Sequence, residues 1–324
     1  MRQSGRRFAL LGGLLPVGSL TVARGDSDAD SAGGNGLEKE TVSVAVLPPA
    51  DGAAVHVGIG QRYFEAEGLK IRLKPVQQSP PALPALVKDV IAGADHVSFL
   101  QAHDQGTLKL RVLNEAATLT PDMMNVVVMP NSPIRTAKDL EGKKVAVNVP
   151  DNIQSLTLDA ILKADNLDAS KIKYVAVPMP QTGAALQKGR IDAVHVAEPF
   201  LSDVQKTLGA RVVVNGGGEP VTQTPISAYP TTQGFTDRYP RTAAGDRKKV
   251  EEVLPGHARI DPRVASVITL PDFPTSNNVT RLQRIVDLMT AAGLLRSQPD
   301  LNAIVYRAPR PDRPGAPAGS MMFR

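Results

Sequence analysis

From Thr41 onward, short apolar runs alternate with amphipathic stretches, and this alternation limits the fold more than any other feature of the chain. A strand buried on both faces reads as a nearly continuous apolar run, whereas a surface helix shows its apolar residues at a period of 3.6. Strands are expected at 41–47, 69–76, 95–99 and 109–113. Helices are expected at 53–67, ended by Gly68, and at 100–106. Ser79 is expected to cap a further helix with Pro80 at its first position, where the missing proline N–H costs nothing. A second block follows, with strands at 125–129, 143–149, 171–178, 190–195 and 211–214 and helices at 152–164, 181–188 and 199–208. The triplet Gly216-Gly217-Gly218 is expected to loosen the chain. An extended segment at 225–231 then returns it to the first block, and a last clear helix spans 279–292. The βαβα order predicts α/β architecture with mostly parallel sheets covered on both faces.

Composition narrows the function. Aromatic residues make up 4% of the chain and tryptophan is absent, so the pattern disfavours a base-stacking platform or a sugar-stacking groove. The net charge of +5 is carried by the ends. Residues 1–24 hold +4 and 307–324 hold +3, which leaves the body at −2. A nucleic-acid binder carries its basic patch on the folded domain, so no nucleic-acid partner is expected. Without cysteine there are no disulfides, thiolate metal sites or cysteine nucleophiles.

Arg2, Arg6 and Arg7 precede a short apolar run that ends in small residues near Ala23. This is the layout of a signal peptide over 1–24, too short and too broken by glycine and proline for a comfortable membrane span. A polar, flexible linker over 25–40 follows, and the Pro/Arg-rich stretch 308–324 reads as a disordered tail.

No nucleophile elbow, zinc-protease motif or phosphate-binding glycine loop is present, and the histidines at 56, 96, 103, 195 and 257 never take a metal-ligand spacing on one element. The chain therefore reads as non-catalytic, without metal or cofactor. What recurs is a strand end running directly into a polar helix start. In open parallel sheets such junctions line the ligand crevice, and helix N-termini offer unpaired N–H donors. Four junctions supply the candidate ligand-binding residues. They are Asp51 and His56, then Ser98 and Gln101, then Asn148, Asn152, Gln154 and Ser155, and finally Glu198 beside His195. For Asp151, Asn152, Gln154 and Ser155, plain helix capping is the competing reading. Glu198 could contact ligand or bridge two parts of the fold.

Three stretches also carry a family resemblance: Tyr63-Phe64 through Glu67-Gly68-Leu69; Ser132-Pro133-Ile134 through Asp139-Leu140, Gly142 and Ala146; and Ala185-Leu186-Gln187 through Gly189, Asp192-Ala193 and Glu198-Pro199-Phe200. In this order they resemble the nitrate-, sulfonate-, taurine- and thiamine-pyrimidine-binding proteins of ABC importers, over about Val42 to Leu295. The resemblance implies a type 2 periplasmic binding protein fold, two α/β lobes joined by a hinge. Lobe one would comprise 41–128 plus 230–307, and lobe two 130–225. It also implies an exported monomer that captures a small organic or inorganic anion (aliphatic sulfonate, taurine or nitrate-like) and hands it to a membrane permease. A thiamine-pyrimidine precursor binder, an enzyme on the same fold and a decayed non-binding paralogue remain alternatives. The chain departs from the family at Arg24, which stands where a lipid-bearing cysteine is common, so no anchor through cysteine is expected. It also looks shortened at 93–98 and at 240–246.

Overall fold

The computed structural model describes residues 37–48, 52–88, 90–239, 269–274 and 276–307. Asp51, the segments 1–36 and 308–324 and the shortened stretch 240–246 lie outside them.

The described chain forms two five-stranded sheets. The first contains β1 (Thr41–Val46), β2 (Lys70–Pro75), β3 (Val90–Asp95), β4 (Leu110–Thr118) and β10 (Pro225–Thr232), in the order β2-β1-β3-β10-β4. The second contains β5 (Met124–Val128), β6 (Lys144–Val147), β7 (Lys173–Ala176), β8 (Ala193–Ala197) and β9 (Arg211–Asn215), in the order β7-β6-β8-β5-β9. The sheets are mixed: in each, four strands point one way, three of them paired in parallel, while β10 and β5 enter antiparallel to both neighbours. Each of these two strands is the first after the chain crosses from one sheet to the other. A chain entering from the far side arrives in the reverse direction.

The crossings run side by side. Leu119 N–H donates to the Thr224 carbonyl at 2.9 Å, and Gln223 N–H donates to the Leu119 carbonyl at 2.8 Å. The glycine triplet here is packed, not loose. A Cβ on Gly216 would strike the His195 ring and the Met124 carbonyl, and one on Gly217 would strike the Thr120 carbonyl. Glycine lets two backbones approach where any side chain would collide.

Helices cover the sheets: α1 (Ala53–Gly60), α2 (Tyr63–Ala66), α3 (Leu83–Leu86), α4 (His96–Asp104), α5 (Ile153–Ala164), α6 (Thr182–Gln187), α7 (Phe200–Leu208), α8 (Gln233–Arg238), α9 (Val279–Ala291) and α10 (Leu301–Ile304). The single helix expected at 53–67 is two, broken at Arg62, whose φ of 61° is left-handed. A second correction matters more. Residues 95–99 are not a strand: β3 ends at Asp95, which caps α4. Ser79 likewise makes no side-chain cap to the turn after it; its Oγ instead accepts from Asp95 N–H at 3.2 Å.

The first sheet buries Ala45, Ala92, Leu110 and Val112 against Leu282, Ile285, Val286 and Met289 of α9. The second buries Val126, Val145 and Ala193 against Leu158 and Leu162 of α5. The start of α5 crosses over: Leu156, 4% exposed, sits in the first lobe's core, and Ile153 packs against it. Among the described residues, no helix is long and apolar enough to cross a membrane.

Candidate functional site

The C-terminal ends of the central parallel strands in both sheets converge on one small cavity of about 50 Å³. Leu47 and Asp95 follow β1 and β3 in one lobe, Asn148 and Val149 follow β6 in the other, and Ala197 ends β8. Met123, Met124 and Ile226 come from the crossing region, while Ser79, Asn152, Ile153, Gln154 and Met179 complete the wall. This is the crevice position expected of an open α/β sheet. Among the described residues, no Lys, Arg or His lines it.

On the first lobe, Asp95 caps α4. Its Oδ1 accepts Ser98 N–H at 2.9 Å and its Oδ2 accepts the Ser98 hydroxyl at 3.4 Å. Burial raises the pKa of this carboxyl, opposed by hydrogen bonds from Ser79, Ser98 and Asn152. Among the described residues, no cation shares the cavity wall with it. A carboxylate at a helix start satisfies orphan N–H groups and favours the helix dipole. Asp95 thus fills, from within the chain, the position an anionic ligand would seek.

On the second lobe, Asn152 caps α5. Its Oδ1 accepts Ile153 N–H at 2.6 Å, and its own N–H donates to Ser155 Oγ at 3.0 Å, a reciprocal capping box. Gln154 ties the end of β6 to β8: its Oε1 accepts Asn148 N–H at 2.6 Å, its Nε2 donates to the His195 carbonyl, and its own carbonyl lies 2.8 Å from His195 Nδ1. Burial lowers the His195 pKa to about 4, against a smaller rise from that carbonyl. His96, at the start of α4, is lowered to about 4 for the same reason.

Among the described residues, three hydrogen bonds join the lobes beside the cavity. Asn152 Nδ2 donates to Ser98 Oγ at 3.0 Å, Gln78 Nε2 donates to the Asn148 carbonyl at 2.7 Å, and Asn148 Nδ2 donates to the Gln77 carbonyl at 3.3 Å. The other side-chain atom of Asn148, Oδ1, is buried without a partner.

Of the nine residues expected at the site, Asp51 lies outside the described residues and the other eight divide accordingly. Asn148, Asn152 and Gln154 line the cavity. Ser98 and Ser155 are buried one hydrogen bond behind it. Gln101 is half-buried farther along α4, and His56 is exposed on α1; neither lines the cavity. Glu198 is also not among the lining residues. It is 2% exposed, accepts Ser202 N–H at 3.1 Å and Ser202 Oγ–H at 2.7 Å, and accepts Thr269 N–H at 3.4 Å. Burial raises its pKa, opposed mainly by Ser202.

Sequence reasoning missed Gln77, Gln78, Ser79 and Asp95. The signal was a polar Gln77-Gln78-Ser79 run directly after an apolar strand, together with an Asp three residues before Ser98. Among the described residues, no group of three or more His, Cys, Asp or Glu residues could hold a metal ion.

With this geometry the comparisons with known proteins agree. Residues 50–206 match the NMT1/THI5-like family model. A curated Bacillus subtilis (strain 168) protein named for binding aliphatic sulfonates is 28% identical over 159 residues, 47% of this chain and 46% of that protein. The match therefore spans about half the length of that relative. Among solved structures, the alkanesulfonate-binding protein SsuA from Xanthomonas axonopodis pv. citri, bound to MOPS, superposes with a TM-score of 0.67 at 20% identity. That superposition covers 83% of this chain and 99% of that one. The nitrate-binding protein NrtA from Synechocystis PCC 6803 gives 0.60 at 12% identity, covering 83% and 85%. An enzyme shares the architecture too: the desulfurization enzyme DSZB gives 0.57 at 15% identity, covering 82% and 96%. The chain thus has the two-lobed fold of the periplasmic sulfonate- and nitrate-binding proteins, with an NMT1/THI5-like segment at residues 50–206.

Proposed function

We propose that this chain is the solute-binding component of an ABC importer, exported and non-catalytic, which closes two lobes around one small polar molecule and delivers it to a permease. The observation that carries this reading is the cavity where the strand ends of both sheets meet, walled by both lobes and spanned by hydrogen bonds that opening would break. A pair of lobes whose facing groups bond only when together is a two-state device, and a ligand between them shifts the balance through added contacts. The named activities of the relatives make an organosulfonate the first solute class to try, ahead of nitrate, taurine and pyrimidines.

Binding is tested by calorimetry and thermal shift across those four classes, with a saturable, stabilising interaction expected for at least one. A flat response to all of them contradicts solute capture.

A second reading, an enzyme on this fold, draws on the DSZB likeness. Against it stands the position of the histidines. His195 Nδ1 is turned to the Gln154 carbonyl and its Nε2 is buried beside Gly216, so neither nitrogen lines the cavity.

A further inference from the structure

We propose that the cleft selects a solute bearing a protonated amine, whose N–H donors engage the Asp95 carboxylate on one lobe and Asn148 Oδ1 on the other. This inference rests on the solute-capture reading and narrows it.

Asp95 and Asn148 both line the cavity, from opposite lobes, with 8% and 9% of their surfaces exposed. Asn148 Oδ1 has no partner. Its orientation follows from the other half of the amide, because Nδ2 donates to the Gln77 carbonyl and a flipped amide would set two acceptors against each other. A buried acceptor left unpaired costs free energy that a donor-bearing ligand recovers. Asp95 adds a buried carboxyl held by neutral donors, Ser79, Ser98 and Asn152; burial favours its protonated form, and an ammonium beside it would favour the carboxylate. Among the described residues, no cation on the cavity wall is there to pair with it.

An oxyanion meets the opposite situation. The N–H and hydroxyl of Ser98 already serve Asp95, and the first N–H of α5 serves Asn152 Oδ1. With no Lys, Arg or His among the described wall residues, an anion placed there meets Asp95 without a described cation to offset it. The rest of the lining suits the body of an organic amine. Leu47, Met123, Met124, Met179 and Ile226 are apolar, and methionine adapts to irregular shapes.

The test is calorimetry of the full chain with three ligands of equal chain length: n-propylamine, propane-1-sulfonate and 3-aminopropane-1-sulfonate. The two amine-bearing ligands are expected to bind, and propane-1-sulfonate to bind at least about tenfold more weakly. Asp95→Asn keeps a good helix cap while removing the charge, and is expected to weaken amine binding about 10- to 100-fold. Asn148→Ala is expected to weaken it less, and circular dichroism establishes that both variants are folded. Tight binding of propane-1-sulfonate without gain from the amine overturns the amine subsite while leaving solute capture standing. So does amine affinity unchanged in folded Asp95→Asn, or binding of nitrate or a pyrimidine but none of the three. Silence from every solute overturns both.

Discussion

The two lobes bring different chemistry to the same cavity. The first contributes a carboxylate, Asp95, held by serines, whereas the second contributes three amides, Asn148, Asn152 and Gln154. Each lobe starts a helix at the crevice, α4 on one side and α5 on the other, and each helix carries its own cap. The amides of the second lobe can donate and accept at once, so Asn152, the cap of α5, also reaches Ser98, and Asn148 reaches Gln77. When ionised, the carboxyl cap of the first lobe can only accept.

That contrast can be broken first at the packing level. Leu156 and Leu158 stand on the same helix, but Leu156 packs in the first lobe's core and Leu158 in the second's. Truncating either to Ala is expected to cost about 2–5 kcal/mol in denaturant melts. Only Leu156→Ala should also loosen the lobe contact, seen as an increased radius of gyration by small-angle scattering. Equal radii for the two variants would show that the lobes are held by polar contacts alone.

Each lobe also buries one histidine, His96 in the first and His195 in the second, and both pKa values are lowered to about 4. The unfolded chain takes up these protons near pH 6.5, while the folded chain resists until about pH 4. Stability contributed by the neutral rings is therefore fully present above pH 6.5 and lost as pH falls toward 4, by up to about 3 kcal/mol for each ring. Asp95 works in the opposite sense. Its raised pKa means that the fold favours the protonated acid, so stability falls as pH rises through its folded value. Denaturant midpoints measured from pH 4 to 7.5, with His195→Gln as comparison, separate the terms. A midpoint flat across that range would contradict the burial of the rings.

Smaller effects sharpen the crossing region and the caps. Gly216→Ala drives a methyl into the His195 ring and the Met124 carbonyl, with an expected loss of about 1–3 kcal/mol. Gly218→Ala meets only ordinary contacts beyond 3.4 Å and should be close to neutral. Equal melting temperatures for the two variants would remove the close-approach argument. Asn152→Ala should cost about 1 kcal/mol as a lost cap, and also sever the link to Ser98. A Ser98→Ala partner in a double-mutant cycle isolates the second part, and zero coupling would show that the link contributes nothing.

Much of the second lobe was legible in the sequence, and the reason is local. The start of α5 spells its capping box in Asn152 and Ser155, and the helix stays amphipathic to Ala164. The first lobe's side of the cleft was less legible because the chain passes from β3 to α4 with no intervening loop. The apolar run continues through Val97, Phe99 and Leu100, all buried, so periodicity placed a strand where a buried helix begins. Asp95 consequently read as the opening of a strand, although it is the cap and a wall of the cavity. The lobe-joining roles of Gln77 and Gln78 could not be read locally, because their partner Asn148 lies some 70 residues away. The junction rule brought Asn148, Asn152 and Gln154 to the cavity, but it says nothing of side-chain direction, and His56 on α1 points to solvent.

The most direct measurement is a crystal structure of the chain grown with 3-aminopropane-1-sulfonate. The account predicts the amine nitrogen within hydrogen-bond distance of both an Asp95 carboxylate oxygen and Asn148 Oδ1, with the lobes closed over it. A sulfonate seated on the Ser98 and Ile153 N–H groups, with Asp95 turned away, would contradict it.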